Sequence, residues 1–209
     1  MRGRLLAAAI ATVAALAAPS AAQAGLLVET AKDCSQQSLD KTFLPWLDIA
    51  NYTTVPGGDF EEGSDHWGAT HGASVVDGNE PFNVLGDGHT SSLRLEPGAS
   101  VTSPAMCVGL GHPTLRLFAK SSGTVPIAGL LDHLRVDVLL EDTLGLLYSL
   151  PIGTILRQGQ WAPTPPVLVV GNLLPLLPGL KTPIAFRFTA VGTSTWQIDD
   201  VQVDPYKSR

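Results

Sequence analysis

Residues 56–67, PGGDFEEGSDHW, crowd four acidic side chains, a histidine and a tryptophan into one short stretch. Groups of these types can do chemistry in a few ways. Two carboxylates facing each other across roughly 5–10 Å hydrolyse glycosides. Asp59, Glu61, Glu62 and Asp65 instead share one glycine-rich turn, without the apolar surroundings that raise the pKa of a general acid. The spacing His66-x4-His71, with His89 later, lacks the His-Glu-x-x-His pattern or cysteine pair of a zinc site. No Gly-x-Ser-x-Gly elbow is present for a serine nucleophile. Two readings of the acids remain: metal ligands, or the polar dressing of a surface turn.

A second acidic pair lies near the other end, in STWQIDDVQVDPY. Trp196 and Ile198 fall on one parity of a strand, Val201 and Val203 on the other. One extra residue at Asp199–Asp200, a β-bulge, restores a common inward face and re-aims the two carboxylates.

The elements that must position these groups are strands. SLRLE places Leu93 and Leu95 on one face, LRVDVLL does the same with Leu134, Val136, Val138 and Leu140, and AFRFTA with Phe186 and Phe188. TLRLFA sets Leu115 and Leu117 inward and Arg116 outward. Turn signals at PGG, DGN, GDG, EPG and SSG separate the runs, and no amphipathic helix of ten residues is apparent. Many short strands with such punctuation predict an all-β fold, a sandwich or a barrel.

The chain has 209 residues. Residues 1–24 carry Arg2 and Arg4, an Ala-rich apolar run and a closing Ala22-Gln23-Ala24, the pattern of a cleaved signal peptide. The run is shorter than the roughly 20 residues needed to span a bilayer. The product is therefore expected to be secreted, in the extracellular space or cell envelope. Residues 25–50 read as an N-terminal extension and residues 51–209 as one domain. Net charge is −6, and the absence of any Lys/Arg cluster argues against nucleic acid and anionic membrane as partners. Two cysteines, Cys34 and Cys107, in an oxidising compartment predict a disulfide. Closing about 70 residues, it contributes on the order of 4 kcal/mol on the chain-entropy view.

Four stretches in order, GGDFEEGSDHW, SLRLEPGASVTSP, LRLFAKSSG and TWQIDDVQV, resemble the jelly-roll β-sandwiches of carbohydrate-binding modules within the galactose-binding-like group. Those modules open with a Gly-x-Phe-Glu turn followed by a Trp and close with a Trp-x-Ile-Asp-Asp-Val strand. The resemblance spans about residues 51–204 and implies a jelly-roll β-sandwich of two antiparallel sheets. It also implies a structural calcium held by Glu61 and by Asp199 or Asp200, with Asp59 as a further donor. The role it implies is non-catalytic and polysaccharide-binding. It places Trp67 and Trp196 in the core and Trp161 just before a strand.

Aromatic platforms for sugar rings are few. Tyr148 is the spare one, near the outward residues Arg135, Asp137 and Arg187, with Arg116 a further outward neighbour; Tyr148, Arg135, Asp137, Arg187 and Trp161 form the expected ligand-binding set, and Trp46 is expected to plug its own sandwich. The rival reading is a cell-envelope structural or protein-interaction domain that makes contact through the apolar loop at 172–180, within NLLPLLPGL.

Overall fold

The computed structural model describes residues 37–109, 113–123, 131–141, 146–169 and 182–205. The expected signal segment, Cys34 and the apolar loop at 172–180 lie outside the described residues.

The chain forms a β-sandwich of two antiparallel sheets, the arrangement that the resemblance implies and the alternating runs permit. The first sheet runs β10 (Ala162–Pro163), β7 (Thr114–Ser122), β13 (Thr195–Asp204), β4 (Ser91–Leu95), β3 (Ala73–Asp77), with β1 (Thr53–Thr54) also on β13 and β11 (Val167–Leu168) also on β7. The second runs β2 (Gly68–Ala69), β5 (Ser100–Thr102), β12 (Thr182–Val191), β8 (His133–Glu141), β9 (Leu147–Leu156), with β6 (Met106–Val108) also on β12. Among the described residues no helix is long and apolar enough to cross a membrane.

One core lies between the sheets. Leu93, Leu95, Leu115 and Leu117 meet Leu134, Val136, Val138, Phe186 and Phe188 there, all fully buried. At roughly 1.5–3 kcal/mol for each large apolar side chain, this layer supplies the main driving force for the fold. Trp196 and Trp67 belong to it. Trp67 packs on Phe60 and Phe188, and its indole N–H donates to the Pro56 carbonyl at 3.0 Å.

The predicted bulge is present. Asp199 pairs with Phe118 and Gln202 with Arg116, so the β13–β7 register slips between them and Val201 and Val203 turn inward beside Trp196 and Ile198. Asp200 takes the left-handed conformation, at φ 45°. The opening turn is bonded to this bulge: Val55 N–H donates to Val201 O at 2.8 Å and Val201 N–H to Gly58 O at 2.9 Å. The approach leaves no room for a side chain at residue 58, where a Cβ would meet Val55 O at 2.9 Å and the Val201 Cβ at 3.1 Å.

The extension corrects one expectation. Arg116 points away from the core as TLRLFA predicts, yet it is only 6% exposed. Residues 40–52 lie over that face of the first sheet, and Phe43, Tyr52 and Phe118 form a second buried cluster with Trp46 and Trp161 packed against it. Trp46 therefore covers the outside of a sheet rather than plugging the interior. Arg116 is held by Asp48 at 2.7 Å and by Thr164 O at 2.9 Å, with its guanidinium 4.2 Å from the Phe43 ring centroid.

Candidate functional site

Two arrangements bear on function: a carboxylate cluster at the bulge and a cleft across the second sheet. The cluster forms because the opening turn and the closing bulge are tied together by the bonds above. Asp199 is fully buried; its carboxylate accepts the N–H groups of Glu80 at 3.0 Å and Asp200 at 2.9 Å. Glu80 is buried too, and its carboxylate accepts the N–H groups of Phe82 and, at 3.0 Å, Val84. Asp200 is buried with neither carboxylate oxygen hydrogen-bonded. Burial pushes the Asp199 pKa up to about 8, with the charges of Glu80 and Glu61 adding to the rise. Asp200 is raised as well, by burial first, then by the charges of Asp199 and Glu80, the close approach of the Glu80 side chain, and the charge of Asp59. No ion pair among the described residues offsets this charge.

The chemistry of these donors suits a hard cation. The two orphaned oxygens of Asp200 lie among oxygen-rich groups with uncompensated negative charge, which calcium would offset. Among the described residues no three His, Cys, Asp or Glu side chains form a ready-made ligand group. An ion held here would therefore draw on fewer than three of these carboxylates at once and complete its shell from backbone oxygens and water. Glu61 also acts as a backbone acceptor, since its Oε1 takes the N–H groups of Thr90 at 2.8 Å and Ser91 at 2.7 Å and so fixes the start of β4. Glu62, Asp65 and His66 remain on the exposed side of the turn. Sequence reasoning missed Glu80, whose signal was a lone Glu before Pro81 in the turn DGNEPF.

The cleft has a volume of about 760 Å³, inside the roughly 300–1,000 Å³ range of small-molecule sites. It crosses the outer face of the second sheet. Leu147 of β9, Leu139 of β8, Arg187 of β12, Thr102 of β5 and Gly68 of β2 line it, one from each strand of the main path. The turn at 56–68 and residues 103–105 wall one end. Trp67 reaches the wall with its ring almost wholly buried, so stacking surface is scarce.

Of the residues expected to bind ligand, Arg187 alone lines this cleft. Arg135 and Asp137 share the outer face and form an ion pair at 3.1 Å. Tyr148 is the register partner of the inward-facing Leu140, so it falls on the opposite parity from Arg135, Asp137 and Arg187. The structure does not bring it to their face, because this part of the edge strand directs residues 148 and 150 to the core side. Trp161 belongs to the other sheet, with the Lys120 ammonium 4.8 Å from its ring centroid. Cys107 is buried in β6 and is not a free thiol, while its expected partner Cys34 lies outside the described residues.

The chain matches no family profile and no curated protein. Solved structures similar to it include the xylanase 10B modules of Clostridium thermocellum, a family 22 carbohydrate-binding module with its family 10 hydrolase, bound to xylohexaose. The identity there is 16% and the TM-score 0.46 over 70% of this chain; this chain spans 27% of that one. The xylan-binding family 22 module of Paenibacillus barcinonensis Xyn10C is similar at 14% identity and TM-score 0.47, covering 73% of this chain and 94% of that one. A family 61 module bound to β-1,4-galactotriose is similar at 15% identity and TM-score 0.41, covering 70% and 94%. The solved structures that this chain is similar to thus include carbohydrate-binding modules of the β-sandwich type.

Proposed function

We propose that the chain is a secreted, non-catalytic glycan-binding sandwich with a structural calcium at its bulge. The observation that carries the reading is the cleft, which crosses the five strands along the main path of the second sheet and so offers a track for an extended chain. Among the described residues its lining holds one carboxylate, Glu62, at an exposed position, whereas glycoside hydrolysis needs two flanking the bond. The four ordered motifs that resemble carbohydrate-binding modules support the same reading. Calcium would be held by Asp200 with no more than one further carboxylate, drawn from Asp199, Glu80 or the expected Glu61 and Asp59, and would complete its shell from backbone oxygens and water. Bound there it would neutralise the buried charge and fix the opening turn against β13.

Thermal unfolding in EDTA, then with calcium, then with a panel of neutral and acidic polysaccharides tests both parts. A melting rise with calcium and a further rise with one polysaccharide class are expected; no response to any glycan defeats the binding reading. The alternative, protein contact in the cell envelope, has its own support in the extension, where Leu47 is 91% exposed and Leu44 and Ile49 are exposed beside it.

A further inference from the structure

Among the described residues the cleft contains one guanidinium, and its described neighbours leave it without a counter-ion. Arg187 and Asp137 are register partners in the β12–β8 ladder and lie side by side on the outer face. The Asp137 carboxylate is nevertheless engaged by Arg135 Nε at 3.1 Å. Arg187 commits only its Nε, to Thr102 Oγ1 at 3.3 Å, and among the described residues no carboxylate lies within ion-pair distance of it. Arg187 is half-buried as a residue and lines the cleft, and among the described residues no acceptor takes its two terminal nitrogens. Nearby lining is apolar, from Leu139, Leu147, Pro104 and Ala105.

We infer that the cleft recognises an isolated carboxylate on an otherwise neutral glycan, a uronate side group, with Arg187 as its receptor. The inference rests on the glycan-binding reading and names its ligand class. A half-buried guanidinium with unfilled donors keeps a desolvation cost that a hydroxyl offsets weakly and a carboxylate offsets well. The planar fork also matches the two carboxylate oxygens in a way that an ammonium does not. A densely charged polyuronate fits poorly. The cleft offers one guanidinium, its lining includes the carboxylate of Glu62, and the chain as a whole carries −6.

The test is calorimetric titration of the full chain with three probes: glucuronoxylan, the same polymer after carboxyl reduction, and polygalacturonate. Wild type is expected to bind glucuronoxylan about tenfold more tightly than the reduced polymer, and polygalacturonate more weakly than glucuronoxylan. Arg187→Ala is expected to bind the native and reduced polymers alike, and Arg187→Lys to recover only part of the difference. Because carboxyl reduction alters the ligand alone, the comparison holds for wild type whatever the variants do to folding. Equal affinity for native and reduced polymer, or binding confined to neutral glycans, overturns the inference while leaving the glycan reading intact. Tighter binding to polygalacturonate overturns the isolated-carboxylate assignment. Failure to bind any of the three probes or any neutral glycan overturns the glycan reading and the inference with it.

Discussion

Arg116 and Asp48, 68 positions apart, form a 2.7 Å ion pair beneath the N-terminal extension, and the same Asp48 carboxylate accepts the Tyr52 hydroxyl at 2.8 Å. Burial by itself would raise the Asp48 pKa, but the hydrogen bonds from Tyr52, the Ala50 N–H and Arg116 outweigh it and the net shift is downward. Burial raises the Tyr52 hydroxyl pKa in turn. This network, with Phe43 stacked on Phe118 at 5.4 Å, holds the extension on the sheet.

Arg116→Ala is therefore expected to destabilise the fold by roughly 3–5 kcal/mol, because it strands Asp48 without its partner. Chemical denaturation measures the loss. Limited proteolysis is expected to cut first between residues 40 and 52; unchanged stability and an unchanged cleavage pattern would contradict the lock.

Asp200→Asn removes the charge whose oxygens find no donor while keeping a side chain suited to a left-handed backbone. In EDTA the variant is expected to melt at or above the wild-type temperature. In calcium it is expected to lose the rise shown by wild type. A variant that loses stability in EDTA yet keeps the calcium response would remove Asp200 from the site.

Raised carboxyl pKa values set the pH dependence of the calcium-free protein. Folded Asp199 titrates near 8, unfolded Asp near 3.9. Between these values the folded state binds more protons than the unfolded state. The stabilising contribution is thus complete below pH 4 and is lost as pH rises toward 8. In EDTA, urea midpoints are expected to fall across that window in wild type, and less so in Asp199→Asn. Calcium binds the ionised form and is expected to flatten the slope.

Glu61→Ala removes the acceptor of the Thr90 and Ser91 N–H groups. The expected cost is about 1–3 kcal/mol, present in EDTA as well as in calcium. Loss confined to the calcium condition would make Glu61 solely a metal ligand.

Much of the sandwich was legible because its strands keep a two-residue period and because the break in that period at Asp199–Asp200 had a single simple repair. The covered face of the first sheet was not. TLRLFA assigns Arg116 outward correctly, but an alternating pattern carries no information on whether a distant segment such as Phe43–Tyr52 will lie over it. The binding face was half legible for a related reason. Parity puts Arg135, Asp137 and Arg187 together, but placing Tyr148 among them requires the β8–β9 register, which pairs it with Leu140. Glu80 escaped because the Asp199 carboxylate that accepts its N–H is 119 positions away and is brought to it by the fold.

The most direct test of the central claim is affinity electrophoresis through gels containing the polysaccharide that wild type retains best. It compares a cleft variant, Leu139→Asp, with Trp161→Ala on the opposite sheet, each checked for folding by its melting curve. The account predicts that Leu139→Asp abolishes retardation and that Trp161→Ala leaves it unchanged. Retardation lost in Trp161→Ala and kept in Leu139→Asp would contradict the account and move the binding surface to the aromatic face beneath the extension.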